Sequence, residues 1–197
     1  MINIAILGLG VVGSGTADLL TQNCRIIEER TKKKINIKYI LDIRDLHQSP
    51  YRDKLVRDID VILADPEVSI VAELIGGSHP AYDFTMRALS AGKHVVTSNK
   101  EVVAKYGDKL LACAKEHNVK YLFEASVGGG IPIIRPLTAD LAANDIHEIC
   151  GILNGTTNYI LTRMFSAGKD YESALAEAKE KGYAEADPTA DVDGIDS

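Results

Sequence analysis

Cysteine and long apolar runs are scarce in this sequence. Its three cysteines, at positions 24, 113 and 150, are odd in number, far apart and without a Cys-x-x-Cys pair. Neither a disulfide framework nor a zinc site is therefore predicted. No apolar run approaches the ~18 residues of a membrane-spanning helix, and the first apolar stretch lacks the basic start of a secretory signal. These absences predict a cytoplasmic protein with reduced thiols that has no membrane partner.

A surplus of positive charge is also absent. The chain has 22 Lys and Arg against 28 Asp and Glu, a net charge of −6, which argues against nucleic acid as the main partner. Hydrophobic residues make up 46% and charged residues 25%, so a disordered or collagen-like chain is excluded. A length of 197 residues fits one full domain with part of a second.

Apolar, strand-like runs alternate with segments of helical spacing along the first two thirds of the chain. Strands are predicted at 2–7, 35–43, 69–75, 94–97 and 119–123, and helices from the first glycine turn through Ile27, at 81–91 and at 101–118. The continuously apolar strands offer little polar face to water, with Glu73 as the exception. This pattern predicts an α/β fold, a Rossmann-type doubly wound parallel sheet with helices on both faces.

The character of the sequence changes after three consecutive glycines at 128–130. A helix is predicted at 131–143, a strand at 146–153, and further helices at 156–165 and 171–181. We therefore predict a first domain over residues 1–130 and the start of a second, α+β domain over 131–197. The last five residues form a mostly polar segment and no closing strand precedes them, so the second domain is expected to be unfinished.

A Gly-x-Gly-x-x-Gly motif directly follows the first predicted strand and begins the first predicted helix. Gly8 permits the tight turn, Gly10 lets a pyrophosphate approach the backbone, and Gly13 lets helix and strand pack closely. The helix amino end, at Val11 and Val12, offers unpaired N–H groups to phosphates. The motif predicts a bound dinucleotide, against the alternative of a glycine-rich turn without a ligand.

The choice of dinucleotide depends on two residues near the end of the second predicted strand. Asp42 has the position of the acidic residue that binds the ribose 2′-hydroxyl of NAD. Arg44 would instead hold the 2′-phosphate of NADP, provided that Asp42 turns away. In a third interpretation, Arg44 forms a surface salt bridge with Asp42 or Asp45. All three stay open, with a slight preference for NADP over NAD.

Six local strings occur in order along the chain and together resemble homoserine dehydrogenase. They are GLGVVG at 8–13, ELIGG at 73–77, GKHVVTSNK at 92–100, EASVGGGIP at 124–132, LNGTTNYIL at 153–161 and GYAEADP at 182–188. The resemblance implies an NAD(P)-dependent hydride transfer that interconverts L-aspartate 4-semialdehyde and L-homoserine, on the route to threonine, methionine and isoleucine. It also implies an NAD(P)-binding domain followed by a substrate-binding and dimerisation domain, in a protein that forms a homodimer or homotetramer.

The resemblance also assigns site residues. It places the cofactor against Gly8, Gly10, Val11, Val12, Gly13, Asp42, Arg44, Gly76, Gly77, Ser98 and Lys100. It implies that Lys100 is a catalytic acid or base, which agrees with its position after a strand's carboxyl end. A lysine that only decorates the following helix is the alternative.

Further site residues lie late in the chain. The resemblance matches Gly155, Thr156, Tyr183, Glu185 and Asp191 to positions that contact the amino-acid substrate. Glu185 is also matched to a catalytic role, together with Asp196 beside the reaction centre. Composition alone favours a solvated acidic loop here.

The string at 124–132 resembles a sodium site. The resemblance assigns it Glu124 and the backbone carbonyls of Val127, Gly129 and Ile131. Oxygen atoms of this kind are the ligands that hard cations prefer. A turn with glycine at positive φ and no ion is the equal alternative.

The chain departs from the family pattern at its end. The family has a second essential lysine four residues beyond the position of Asp196. This chain ends at Ser197, one residue after Asp196, so it does not contain that lysine. We therefore expect the chain to bind cofactor but to turn over poorly. Aspartate-semialdehyde dehydrogenase is a weak alternative because no cysteine lies in a convincing catalytic loop. A catalytically silent NAD(P)-binding regulatory module is the other alternative.

Overall fold

Six parallel strands form one sheet in the computed structural model, which describes residues 1–152, 154–184 and 188–194. The strands are β1 (Ile2–Leu7), β2 (Ile35–Leu41), β3 (Leu55–Val56), β4 (Val68–Glu73), β5 (His94–Thr97) and β6 (Tyr121–Leu122). Their order is β3-β2-β1-β4-β5-β6, and every neighbouring pair is parallel. The order reverses between β1 and β4, the point where open α/β sheets bind ligands.

The sheet belongs to the first of two compact units, Met1–Ala142, whereas the second comprises Ala143–Ser197. The helices of the first unit are α1 (Val11–Gln22), α2 (Cys24–Thr31), α3 (Ile59–Leu63), α4 (Ala81–Ser90) and α5 (Lys100–Glu116). No helix in the described ranges is long and apolar enough to cross a membrane. The domain boundary after residue 130 stays a prediction.

Two apolar clusters cover the two faces of the sheet. One contains Ala5, Leu7, Val71 and Val95 together with residues of α4 and α5. The other contains Ile4, Ile6 and residues of α1 and β2. Because successive side chains of a strand point to opposite faces, a continuously apolar β1 supplies both clusters. The predicted Rossmann-type doubly wound parallel sheet is confirmed.

Two details of this unit differ from the prediction. The predicted first helix is two helices because Asn23, with φ −98° and ψ 15°, leaves the helical conformation between them. The two-residue strand β3 and the helix α3 were not predicted, since a strand of two residues has no periodicity to detect.

The second unit contains α6 (Gly155–Ala167), α7 (Tyr171–Glu180) and α8 (Thr189–Val192). Helices α6 and α7, both predicted, pack through Ile160, Ala174 and Ala178. Asn154 caps α6 by accepting from the Thr157 N–H at 2.8 Å, and an aspartate caps α7 in the same way. Side-chain caps of this kind satisfy the free N–H groups of the first helical turn.

One carboxylate also links these two helices. Glu177 on α7 accepts hydrogen bonds from the Tyr159 hydroxyl at 2.8 Å and from Arg163 at 3.0 Å, both on α6. Lys169 and Lys181 also donate to it, at 2.8 and 2.6 Å. These charged and polar donors lower the pKa of Glu177 well below its usual range.

Two predictions for residues 131–153 are wrong. The predicted helix at 131–143 is reduced to a π-helical turn, Pro136–Asp140, since Pro136 has no N–H with which to continue a helix from 131. No strand occurs at 146–152, and residue 153 lies outside the described part. A strand requires a neighbouring strand for its backbone hydrogen bonds, and the described ranges provide none here. Nothing in those ranges packs over this segment either, and the side chains of Ile149 and Ile152 are 65% and 76% exposed.

Candidate functional site

The glycine turn between β1 and α1 lies at the carboxyl edge of the sheet. Gly8 has φ +91°, and a Cβ there would lie 2.9 Å from the Leu74 carbonyl oxygen. A Cβ at Gly13 would lie 1.9 Å from the Gly8 carbonyl oxygen. At Gly10, however, an added Cβ would meet no atom within 4 Å. Packing therefore requires Gly8 and Gly13, whereas the space in front of Gly10 is open to a ligand.

The amino end of α1 is also accessible. Gly10 is its N-cap, and in the described ranges no side chain caps this helix or places an acid in its first turn. Val11 and Val12 are 91% and 53% exposed. The first backbone N–H groups of a helix have no partner within the helix, and the helix dipole favours an anion there. This end of α1 therefore fits a pyrophosphate.

Asp42 follows β2 and joins the glycine turn to Arg44. Its buried carboxylate accepts from the Leu9 N–H at 2.8 Å and from the Arg44 N–H at 2.9 Å. The Arg44 guanidinium donates to both oxygens, through Nε at 2.9 Å and Nη2 at 2.7 Å. The hydrogen bond from Arg44 is the main reason why the pKa of Asp42 lies well below its usual range. Of the three interpretations offered by the sequence, the structure shows the salt bridge.

A cavity of about 460 Å³ lies beside this ion pair. Three arginines and three aspartates contribute to its walls: Asp42, Arg44, Asp45, Arg52, Asp53 and Arg57. The other acids have cationic or titratable neighbours of their own, Arg52 for Asp53 and His47 for Asp45. Among the described residues no carboxylate lies within 4 Å of the Arg57 guanidinium. Sequence reasoning missed Arg52 and Arg57 because they lie in an irregular segment without a motif.

A second loop lies at the carboxyl ends of β4 and β5. It contains Gly76 and Gly77, and Gly77 has φ +76°. The Asn99 side chain holds this loop by donating to the carbonyls of Ile75 at 2.9 Å and Gly77 at 2.7 Å. Its Oδ1 also accepts from the Val102 N–H at 3.1 Å and so caps α5. The structure therefore brings the two glycines together with the start of α5, although the sequence analysis assigns no role to Asn99.

The other two predicted residues of this region lie on either side of Asn99. Ser98 is half-buried between β5 and α5, and Lys100 is the exposed first residue of α5. Both stand at the carboxyl edge of the sheet, where the sequence placed them.

The second unit has a cavity of about 530 Å³. Its walls include four predicted substrate residues: Gly155, Thr156, Tyr183 and Asp191. The Thr156 hydroxyl donates to the Tyr183 carbonyl at 2.7 Å. Asn154 Nδ2 donates to Asp191 Oδ1 at 2.7 Å, so the same asparagine that caps α6 also holds Asp191. Glu185 and Asp196 lie outside the described residues.

The Glu124 carboxylate has a structural role in the described fold. It accepts from the N–H groups of Ile133 at 2.6 Å, Ile134 at 2.9 Å and Arg135 at 2.7 Å. These bonds lower the pKa of Glu124 and occupy both of its oxygens. Oε2 accepts only one of these three bonds and keeps a lone pair, so Glu124 as a sodium ligand stays a prediction.

The carbonyl ligands of the predicted sodium site have a different environment. Val127, Gly129 and Ile131 occupy an exposed turn in which Gly128 and Gly129 have positive φ. No backbone N–H of the described residues donates to their carbonyl oxygens. These oxygens are hard ligands of the kind that fits an alkali ion.

The parallel sheet, the glycine turn at its switch point and the uncapped amino end of α1 define a dinucleotide-binding protein of the Rossmann class. A family model for the NAD-binding domain of homoserine dehydrogenase matches residues 8–124, and a second homoserine dehydrogenase model matches residues 132–197. The chain belongs to the homoserine dehydrogenase family.

Individual relatives agree with this assignment. The chain is 45% identical to a homoserine dehydrogenase of Synechocystis, over all of this chain and 46% of that protein. A crystal structure of a homoserine dehydrogenase from Thiobacillus denitrificans superimposes with a TM-score of 0.90 at 44% identity, over 99% of this chain and 46% of that one. A hyperthermophilic archaeal homoserine dehydrogenase in complex with NADPH gives a TM-score of 0.84 at 31% identity, over 99% and 66%. The chain thus spans about half the length of the curated relatives that it matches.

Proposed function

We propose that this chain supplies the NAD(P)-binding domain and part of the substrate site of a homoserine dehydrogenase. The reaction is the reversible hydride transfer between NAD(P)H and L-aspartate 4-semialdehyde that gives L-homoserine, within threonine, methionine and isoleucine biosynthesis. One observation carries the proposal: the turn at the switch point of the sheet requires Gly8 and Gly13 for packing, whereas a Cβ at Gly10 would meet no protein atom within 4 Å, which leaves room for a ligand there. The cofactor supplies the hydride chemistry, and the chain orients it.

The pyrophosphate is proposed to bind at the amino end of α1, against the N–H groups of Val11 and Val12. The ribose next to adenine then lies near Asp42 and Arg44 in the cavity beside β3. The nicotinamide end lies toward Gly76, Gly77, Ser98 and Lys100, at the carboxyl ends of β4 and β5. This direction follows the general rule for open α/β sheets.

NADP is the proposed cofactor. Both oxygens of Asp42 are engaged by Arg44, and one also accepts from Leu9, so this carboxylate is poorly placed to take a ribose 2′-hydroxyl. The Arg44 side chain is itself 55% exposed, and Arg57 lines the same cavity. Only two guanidinium N–H groups of Arg44 donate to Asp42, so Arg44 and Arg57 both offer donors to a 2′-phosphate.

Calorimetric titration of the chain with NADPH and NADH tests this choice. A charge-assisted hydrogen bond contributes ~1.5–3 kcal/mol, so Arg57→Ala should weaken NADPH binding by about 10- to 100-fold and leave NADH binding within about threefold. Arg44→Ala should act in the same direction. Arg30→Ala, an arginine of α2 outside the cavity, is the control. Stronger binding of NADH than of NADPH to the unmodified chain would mean that Asp42 binds the ribose 2′-hydroxyl of NAD. Binding of neither would refute the proposed function.

The amino-acid substrate is proposed to bind in the cavity of the second unit. Asp191, held by Asn154, offers a carboxylate to the α-ammonium group, and Thr156 and Gly155 offer hydrogen bonds from the start of α6. Tyr183 forms part of the wall, with its ring centroid 4.9 Å from that of Tyr159. Glu185 and Asp196 keep the substrate and catalytic roles that the family resemblance implies, as proposals.

Two further features are proposed for the complete enzyme. A sodium ion is proposed to bind Glu124 and the carbonyls of Val127, Gly129 and Ile131. Replacing NaCl by choline chloride during cofactor titration tests this site.

A homodimer or homotetramer is proposed for the complete protein, and light scattering distinguishes the two.

A further inference from the structure

Glu73 is a fully buried acid at the end of β4 that the proposed reaction does not use. Its Oε2 accepts from the Thr97 hydroxyl at 2.6 Å, and its Oε1 accepts from the Ile75 N–H at 2.8 Å. In the sheet it pairs in register with Leu7 of β1 on one side and with Thr97 of β5 on the other. Glu73 therefore lies at the carboxyl ends of three adjacent strands.

The hydrogen bonds continue from Glu73 to the loops that follow these strands. The Thr97 hydroxyl accepts from the Asn99 N–H at 2.9 Å. The Asn99 side chain in turn holds the carbonyls of Ile75 and Gly77 and caps α5. The result is a closed buried network that joins the Ile75–Gly77 loop to the first turn of α5.

The same network reaches the glycine turn. Leu74, the residue after Glu73, donates its N–H to the Leu7 carbonyl at 2.9 Å. Its own carbonyl oxygen would lie 2.9 Å from a Cβ at Gly8. The backbone that Glu73 holds therefore passes directly against the turn that is proposed to receive the pyrophosphate.

Burying a carboxyl group at this position costs free energy. Transfer of a polar group from water to the interior costs free energy unless it is hydrogen-bonded, and well-packed apolar side chains often serve stability as well or better. An apolar side chain, however, would leave the Ile75 N–H and the Thr97 hydroxyl without these acceptors. The carboxyl thus specifies one arrangement of the surrounding loops, which an apolar residue of the same size cannot do.

We propose that Glu73 is a positioning residue for the cofactor: through Thr97 and Asn99 it fixes the Ile75–Gly77 loop and the start of α5 where the nicotinamide end binds, without touching the cofactor. The inference rests on the proposed function and adds to it three residues, Glu73, Thr97 and Asn99, that act through the backbone.

The test compares binding of the whole cofactor with binding of its adenosine half. Calorimetry measures the affinity of the chain for NADPH and for 2′,5′-ADP, which lacks the nicotinamide mononucleotide half. Glu73→Gln keeps the shape of the side chain and Asn99→Ala removes the link to the loop. Each should weaken NADPH binding by about tenfold or more and leave 2′,5′-ADP binding within about threefold. The same comparison with NADH and ADP applies if the unmodified chain prefers NADH.

A conservative pair separates positioning from general damage. Thr97→Ser retains the hydroxyl and should keep the affinity for NADPH, whereas Thr97→Val, which is nearly isosteric, should lose it. The control is Lys93→Met. Lys93 is also buried, but its Nζ donates to the carbonyls of Asp65 at 2.8 Å and Val68 at 2.9 Å, at the opposite ends of the same strands. Its replacement should not change the ratio of the two affinities.

The outcomes are distinct. Equal losses for NADPH and 2′,5′-ADP, or unchanged NADPH binding in both Glu73→Gln and Asn99→Ala, would overturn the inference and leave the proposed function intact. If the unmodified chain binds none of the four ligands, the proposed function fails and the inference fails with it. Thermal unfolding of each variant establishes that the folded protein is being titrated.

Discussion

At the scale of single residues, the three glycines of the first turn differ in what they contribute. Gly8 and Gly13 lie where a Cβ would collide with backbone atoms, so they belong to the fold. Gly10 has φ −75°, and a Cβ there would meet no protein atom within 4 Å, so the fold itself accommodates an alanine at this position. The motif therefore combines two structural positions with one binding position.

This difference predicts opposite effects for two single-methyl substitutions. Gly10→Ala should leave the melting temperature unchanged or slightly higher, because alanine restricts the unfolded chain by about 0.4–1 kcal/mol. It should also weaken NADPH binding by at least tenfold, because the methyl group occupies the space proposed for the pyrophosphate. Gly13→Ala should lower the melting temperature strongly. Calorimetry and thermal unfolding measure both effects, and unchanged NADPH binding in Gly10→Ala would refute the placement of the pyrophosphate.

Glu73 provides a second prediction at this scale. Burial raises the pKa of its carboxyl, against the opposing effect of the bonds from Thr97 and Ile75. A group whose folded-state pKa is raised contributes stability that is complete below its unfolded pKa and is lost as the pH rises through its folded pKa. The unmodified chain should therefore lose stability relative to Glu73→Gln between acidic and neutral pH. Urea unfolding of both proteins across this range measures the change, and parallel curves would contradict it.

At the scale of elements, the sequence predicts a strand or helix best where the residues of that element form a recognisable apolar pattern by themselves. Strands β1, β2, β4, β5 and β6 all overlap predicted strands because buried parallel strands are rich in apolar and β-branched residues. The strand predicted at 146–153 contains several aliphatic residues but has no described neighbour, and a single strand cannot satisfy its own backbone. Asn99 and Asn154 were missed for a related reason: their roles depend on hydrogen bonds to other segments, which no local pattern reveals. Glu73 was visible only as a break in an apolar run.

The α6–α7 pair is expected to depend on Glu177 in a pH-dependent way. Its pKa is lowered by Lys169 first, then by Lys181, Tyr159 and Arg163. A lowered pKa means that the stability is present above the unfolded pKa and is lost as the pH falls through the folded pKa. Glu177→Gln should therefore speed amide hydrogen exchange in α6 and α7 at neutral pH, and the difference from the unmodified chain should shrink in acid. Glu180→Gln, on the same helix, is the control.

At the scale of the whole molecule, cofactor binding and substrate binding are proposed to belong to different units. The first unit contains the sheet and every candidate cofactor residue, and the second contains the described substrate candidates. The family models change between residues 124 and 132, close to the predicted boundary after residue 130. Because the relatives are about twice as long, cofactor binding and turnover are expected to require different lengths of chain.

Comparison of the 197-residue chain with the chain extended to the length of its relatives tests this division. We expect both to bind NADPH, and only the longer protein to reduce L-aspartate 4-semialdehyde rapidly. In the longer protein, Lys100→Met should lower kcat by about 10²- to 10⁴-fold, the usual contribution of a general acid or base. Lys109→Met, an exposed lysine on the same helix, should leave kcat unchanged. Full activity of Lys100→Met would remove this lysine from the mechanism.

The open space at Gly10 also has an evolutionary consequence. Packing maintains Gly8 and Gly13, whereas a Cβ at Gly10 meets no protein atom, so we expect use of the ligand to keep that position as glycine. A descendant that had abandoned its nucleotide would therefore retain the sheet and two of the three glycines and would drift at the middle one. In a comparison of related genomes, the residue at this single position would serve as a record of whether the lineage still depends on the cofactor.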